Sequence, residues 1–358
     1  LGDELFSIDI NRIRDFCSRI KKYNIQWFTQ LRVDRVTPEM IALLKDAGCQ
    51  TISFGLESAD NRILNSMKKH TTVNQIEKAL EIVYNTGVSI EGAFIFGDIE
   101  ETWETANNTL DWWSNHKQYK VSLNLITIYP GSYLYKFACD KGIIKDKMAY
   151  LKNGCPQVNV SKLTDEEFAS LASKIMELSI NLTNVIENAK VVHVDYSTWK
   201  INITGKCSAC DNIITEEGVK LLFTTNFIRC NKCDEKYRMV LPDDFRRVID
   251  YNTIKLIDKY GSIAFWGINY HINDLFKHSK ILQRNDVYPI DDSEIKRRSN
   301  LYGRPIYDAT VIETENIPIV VICTVAFYSQ IYERVKTTHK NVKKILDVRD
   351  LINPNLSI

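Results

Sequence analysis

The chain has 358 residues, 44% of them hydrophobic, enough for two or three domains with cores of their own. A net charge of +1 gives no electrostatic reason to expect nucleic acid or a membrane surface, and no apolar run approaches the ~20 residues a membrane span needs. Nine cysteines, four of them in two tight pairs, suit metal binding in a reducing cytoplasm better than a disulfide framework.

The start at Leu1-Gly2-Asp3, with no Met and no charged-then-apolar leader, reads as the end of a strand and predicts further residues upstream. A βα alternation then runs to about residue 150. Ile10, Ile13, Phe16, Cys17 and Ile20 recur at helical spacing, and Gln26 to Leu31 reads as a strand. Thr37-Pro38 is an N-cap with proline at the first helical position, Gly48 ends that helix, and a strand follows at Thr51 to Phe54. Thr72-x-x-Gln75 is a capping box for a helix with the apolar stripe Ile76, Ala79, Leu80 and Val83, stopped by Gly87. Strands at Ile90 to Phe96 and Val121 to Ile128 flank an Asn/Trp-rich helix. Strands separated by single helices imply a parallel sheet with right-handed crossovers.

After Gly154-Cys155-Pro156 the pattern changes. Thr164-x-x-Glu167 caps a long helix with Phe168, Leu171, Ile175, Leu178 and Leu182 on one face, a helical linker over residues 151–190. Residues 191–241 are strand-like, in a four-cysteine unit over 191–245 that holds Cys207-x2-Cys210 and Cys230-x2-Cys233, two knuckles separated by nineteen residues with a strand-like Val219 to Phe223 between. That is zinc-ribbon spacing, and four thiolates with no open position argue for a closed structural site, with an auxiliary iron-sulfur cluster as the rival. Cys17, Cys49, Cys139 and Cys323 fall on apolar faces and read as core. Residues 246–358 form a second α/β unit with strands at Ser262 to Trp266, Asp286 to Ile290, Ile319 to Cys323 and Lys344 to Val348.

Polar motifs in the first 131 residues gather at strand ends, where barrel enzymes keep their chemistry. Taken singly, Arg32-Val33-Asp34, Glu57 or Lys68-Lys69 is a surface ion pair, a helix cap or a solvated charge run. Their order and spacing carry the case. Together they resemble the radical S-adenosylmethionine (SAM) enzymes, in the branch that often has an N-terminal cobalamin-binding domain, over residues 1–150.

That resemblance implies a partial (β/α)6 radical SAM barrel over residues 1–150, so the expected chain is α/β, with the small zinc-ribbon unit read from the cysteine spacing and a Rossmann-like domain following it. It puts Asp3 and Glu4 at the SAM amino group and Arg32 and Asp34 near the ribose. Glu57 and Ser58 match the fourth-strand element, and Lys69, twelve residues after Glu57, matches the basic partner of the SAM carboxylate. Ile95 and Gly97 lie where the fifth strand backs adenine, Glu101-Thr102 match the Glu-Thr turn that follows, and Ile99 and Glu100 stand where the family usually has Pro-Gly. The family's CxxxCxxC loop, whose thiolates hold the 4Fe-4S cluster, does not occur in these 358 residues and belongs upstream of Leu1.

For the complete cytoplasmic protein the resemblance implies a 5′-deoxyadenosyl radical acting on a small-molecule substrate, or cobalamin-dependent methyl transfer or rearrangement. Electrons would come from a donor such as flavodoxin or ferredoxin. A degenerate barrel serving as a binding scaffold is the other reading. The C-terminal unit is similar to Rossmann-like modules appended to sugar-modifying and methyl-transferring enzymes, with Ala264 to Asn269 as first strand and turn and Asp291-Asp292 after the second. Of the G-x-G-x-x-G that a dinucleotide needs only Gly267 is present, so the expectation is a binding or docking domain rather than an NAD site, with His271 a turn residue.

Overall fold

The computed structural model describes residues 6, 9–181, 186–221, 227–233, 235–238 and 242–356, so Asp3, Glu4, Leu182 and Phe223 lie outside the described residues. The chain divides into two compact units, Leu1–Ile175 and Met176–Ile358.

The first unit opens with α1 (Ile10–Ile20), followed by β1 (Trp27–Leu31), α2 (Pro38–Asp46), β2 (Cys49–Glu57), α3 (Asn61–Ser66) and α4 (Val73–Thr86). It continues with β3 (Ser89–Phe96), α5 (Trp103–Asn115), β4 (Ser122–Leu125), α6 (Tyr133–Asp140) and α7 (Lys147–Lys152). The helices start where their side chains satisfy the first exposed N–H groups. Thr37 accepts from the Met40 amide with Pro38 behind it, and Thr72 and Gln75 cap each other's amides. Ile76, Ala79, Leu80 and Val83 of α4 are fully buried, and each large one contributes roughly 1.5–3 kcal/mol by leaving water.

The four strands form one parallel sheet in the order β1-β2-β3-β4. Along β2 and β3 buried residues alternate with half-buried or exposed ones. Ile52, Phe54, Leu56, Ile90, Phe94 and Phe96 are buried, whereas Ser53, Gly55, Glu57, Glu91, Ala93 and Ile95 share the less buried face. β2 runs further than Thr51 to Phe54 because its pairing with β3 continues through a bulge between Gly55 and Glu57. β4 is shorter than Val121 to Ile128. After the Ile126 amide donates to Phe96 O (2.8 Å) the chain leaves the sheet, and Tyr150 Oη donates to Ile128 O (2.8 Å) to anchor the departing segment.

α8 (Asp165–Asn181) begins in the first unit, capped by Thr164 and Glu167, each bonding the other's amide. In the second unit β5 (Glu187–Asp195), β6 (Lys200–Lys206) and β7 (Ile213–Lys220) form an antiparallel sheet, and β8 (Phe227–Arg229) and β9 (Lys236–Arg238) a hairpin. After α9 (Asp243–Tyr260) come β10 (Ile263–Trp266), α10 (Tyr270–His278), β11 (Val287–Ile290), α11 (Glu294–Arg297) and the small hairpin β12 (Asn300–Leu301) and β13 (Arg304–Pro305). α12 (Val311–Thr314), β14 (Ile319–Ile322), α13 (Tyr328–Thr338) and β15 (Lys344–Asp347) complete it.

The parallel strands of the second unit are ordered β11-β10-β14-β15, and all of β10, β14 and most of β11 are buried, as expected for a sheet covered on both faces. The cysteine knuckles have no core of their own. Cys207, Cys230 and Tyr237 belong to the same buried cluster as Ile249, Phe265 and Val321. Among the described residues no helix is long and apolar enough to cross a membrane.

Candidate functional site

The carboxyl edge of the first sheet gathers most of the residues singled out from the sequence. Arg32 follows the last residue of β1, Glu57 ends β2, and Ile95 and Gly97 close β3, all on adjacent parallel strands and at the same end. Lys69 returns to that edge after α3, its amide held by Leu64 O (3.0 Å), and its Nζ lies 2.7 Å from Glu57 Oε1. The pair is partly screened, with 30% of the Lys69 side chain and 21% of the Glu57 side chain exposed. An ammonium has three N–H donors, so Lys69 can meet Glu57 and a second carboxylate together. Glu57 adopts φ 64°, a conformation that costs a non-glycine residue free energy and recurs at functional sites.

Arg32 makes a two-pronged contact with Asp34, Nε to Oδ1 at 3.0 Å and Nη2 to Oδ2 at 3.1 Å. Those hydrogen bonds hold the Asp34 carboxyl below its ordinary range. Ser58 goes elsewhere. It is buried, its hydroxyl lies 3.0 Å from Thr109 Oγ1 of α5, and it accepts the Asp60 amide (3.1 Å), which ties β2 to the start of α3.

Gly97 has φ 105°, and a Cβ there would meet Phe168 Cε2 at 3.0 Å and Ile126 Cγ2 at 3.1 Å, so only glycine fits this strand end. Its amide donates to Glu101 Oε2 (3.2 Å), while Thr105 Oγ1 donates to Glu101 Oε1 (2.7 Å). Glu101 is 1% exposed, and that burial pushes its carboxyl up to about 7, against the opposing effect of the two hydrogen bonds. The turn from Asp98 to Glu101 closes by the Glu101 amide on Asp98 O (2.9 Å), with Ile99 and Glu100 between. The Glu101-Thr102 turn was expected from the resemblance. The clasp on Gly97 was not, because it depends on which way a buried carboxylate faces.

The second constellation is the cysteine quartet. One sulfur from each of Cys207, Cys210, Cys230 and Cys233 lies within 4.8 Å of all the others. Across the knuckles Cys207 Sγ is 3.5 Å from Cys233 Sγ, and Cys210 Sγ is 3.6 Å from Cys230 Sγ. A tetrahedral ion with sulfur at about 2.3 Å needs edges of about 3.8 Å, so the four thiols fit one metal ion. Burial opposes ionisation of Cys230, but the Cys233 and Lys232 amides prevail and bring it down to about 6. The buried Tyr237 hydroxyl sits 3.0 Å from Cys207 Sγ and 3.1 Å from Ser208 Oγ, a support that nothing in the knuckle spacing announces.

In the C-terminal sheet the strand-end groups bond to one another. Asp291 accepts from the Ile268 amide (2.8 Å) and Lys296 Nζ (3.0 Å), and Asn269 Nδ2 donates to Cys323 O (2.7 Å). Asp292 is paired with Arg334 (2.9 Å), whose guanidinium lies over the Trp266 ring.

The first parallel sheet thus carries an acid-base pair and a two-pronged arginine at its carboxyl edge. Residues 2–112 match the model of the radical SAM superfamily. An uncharacterized methyltransferase from Pyrococcus horikoshii is 28% identical over 48% of this chain and 38% of its own length. The anaerobic magnesium-protoporphyrin IX monomethyl ester cyclase of Rubrivivax gelatinosus is 27% identical over 42% of this chain and 28% of its own. The bacteriochlorophyllide d C-8(2)-methyltransferase of Chlorobaculum tepidum is 26% identical over 40% of this chain and 33% of its own. The chain thus spans between 28% and 38% of these curated relatives.

Proposed function

We propose that the complete protein is a radical SAM enzyme of the cobalamin-associated branch that transfers methyl to a small-molecule substrate. The carrying observation is the Glu57–Lys69 pair at the carboxyl edge of the sheet, inside the segment that matches the superfamily. Methyl transfer is preferred to rearrangement because two of the three relatives cited are named methyltransferases.

In this reading Lys69 receives the SAM carboxylate, Arg32 and Asp34 flank the ribose, and Asp3 and Glu4 accept from the amino group. The backbone of Ile95 and Gly97 lies against adenine, with Glu101 fixing the Gly97 amide. The iron-sulfur cluster and cobalamin would supply the one-electron and methyl-carrier chemistry, and a flavodoxin or ferredoxin the electrons. The protein's own part is to orient SAM and keep water from it. The cysteine quartet would hold a structural zinc, and the C-terminal sheet, with the strand order of a doubly wound fold, would serve as a Rossmann-like docking or ligand module.

The test is anaerobic incubation of the complete protein with SAM, reductant and cobalamin. S-adenosylhomocysteine or 5′-deoxyadenosine should accumulate, and Lys69→Ala should slow either. A protein with a spectroscopically intact cluster that neither binds nor consumes SAM would instead be a degenerate scaffold.

A further inference from the structure

Lysine carries its charge on a flexible stem, so a lysine that must meet one carboxylate needs a seat for its ammonium. The Lys69 backbone is set by the Leu64 carbonyl and by positive φ at both neighbours, 52° at Lys68 and 55° at His70. Its side chain then crosses the less buried face of β2 at Gly55. A Cβ on Gly55 would stand 2.7 Å from Lys69 Nζ, 3.7 Å from Lys69 Cε and 2.9 Å from Glu57 Oε1. The Gly55 backbone lies outside the left-handed region, so an alanine fits its conformation. Only the space is denied, and the atoms that deny it are the ends of two long side chains.

We propose that Gly55 is a positioning residue for Lys69. Its missing side chain is the seat of the ammonium, Glu57 supplies the counter-charge beside it, and the two preform a cation for a ligand carboxylate. This inference rests on Lys69 being the carboxylate partner of SAM, as argued above. It assigns to a strand glycine, outside the set of side chains that touch the cofactor, the job of fixing where the charge stands. Because the clash is with side-chain ends, Gly55→Ala should fold and simply push Lys69 and Glu57 aside.

Calorimetric titration of the complete protein with SAM, run on wild type, Gly55→Ala, Lys69→Ala and the double variant, separates the possibilities. Lys69→Ala should weaken binding about 10- to 150-fold, the range for a charge-assisted hydrogen bond. Gly55→Ala should weaken it at least about 5-fold, and the double variant should bind no worse than Lys69→Ala alone, since both changes remove one interaction. Unchanged affinity in Gly55→Ala, or a full additional loss in the double variant, would overturn the seat. Unchanged affinity in Lys69→Ala would defeat the underlying reading instead. Should Gly55→Ala fail to fold, Lys69→Arg takes its place. The broad planar guanidinium cannot occupy the seat over Gly55, so binding should drop although the charge remains, and undiminished affinity would overturn the proposal.

Discussion

The two parallel sheets of this chain treat the polar groups at their carboxyl edges in opposite ways. In the C-terminal sheet Asp291, Asn269 and Lys296 bond to main-chain groups of the neighbouring loops and to each other, so Lys296, although 29% exposed, already commits two donors and Asp291 is only 9% exposed. In the first sheet Glu57 and Lys69 remain partly exposed and sit on a bulged strand with Glu57 in an unfavourable conformation. Similar residue types at similar places are multiply bonded fasteners in one sheet and a single, partly exposed ion pair in the other. What separates them is not identity but how many donors are already committed.

The largest expected effect lies in the second unit. Because the knuckles share a buried cluster with its α/β sheet, stripping the metal with a chelator should melt that whole unit while the first unit keeps its own transition. Structural thiolate sites contribute an apparent ~10–16 kcal/mol. Metal analysis of aerobically purified protein should give about one zinc per chain. Iron with sulfide and a brown colour would replace the ribbon with an auxiliary cluster, and an unaltered second unit after chelation would remove the coupling.

The next effect is a pH dependence confined to the first unit. Glu101 binds its proton more tightly folded, at about 7, than unfolded, at its ordinary 4.5. Its contribution is therefore fully present below pH 4.5 and is lost as pH rises to 7, by about 3 kcal/mol. Glu101→Gln should flatten the fall in denaturant midpoint over that window, measured against wild type. The same slope in both proteins would dismiss the buried carboxyl as its source.

A smaller effect sharpens the contrast between the edges. Asp291→Ala should cost about 2 kcal/mol of second-unit stability by leaving the Ile268 amide and Lys296 without their shared acceptor, and it should leave SAM affinity untouched. Weakened SAM binding in that variant would break the distinction between a fastened edge and a ligand edge.

Much of this was legible in the sequence, for local reasons. Thr37-Pro38, Thr72-x-x-Gln75 and Thr164-x-x-Glu167 announced three helix starts because caps act within four residues. The two knuckles announced a quartet because each pair is set by its own turn. The spacing from Glu57 to Lys69 marked both residues, yet their direct pairing depends on the empty space at Gly55 and two left-handed residues beside Lys69. Ser58 shared a motif with Glu57 but turns to Thr109, because it lies just past the end of β2, where the left-handed Glu57 breaks the strand's alternation. Tyr237 and the Glu101 clasp were hidden for the same reason: both are contacts of buried side chains whose partners are fixed only by packing. The order β11-β10-β14-β15 likewise arises from long-range pairing that strand propensity does not encode.

The claim that the first sheet's carboxyl edge is a SAM site is tested most directly by a crystal structure of the complete protein with SAM bound. The methionine carboxylate should lie about 3 Å from Lys69 Nζ, over Gly55, with the ribose beside Arg32 and Asp34. SAM bound with its carboxylate held by other residues, and Lys69 still spent on Glu57 alone, would contradict it.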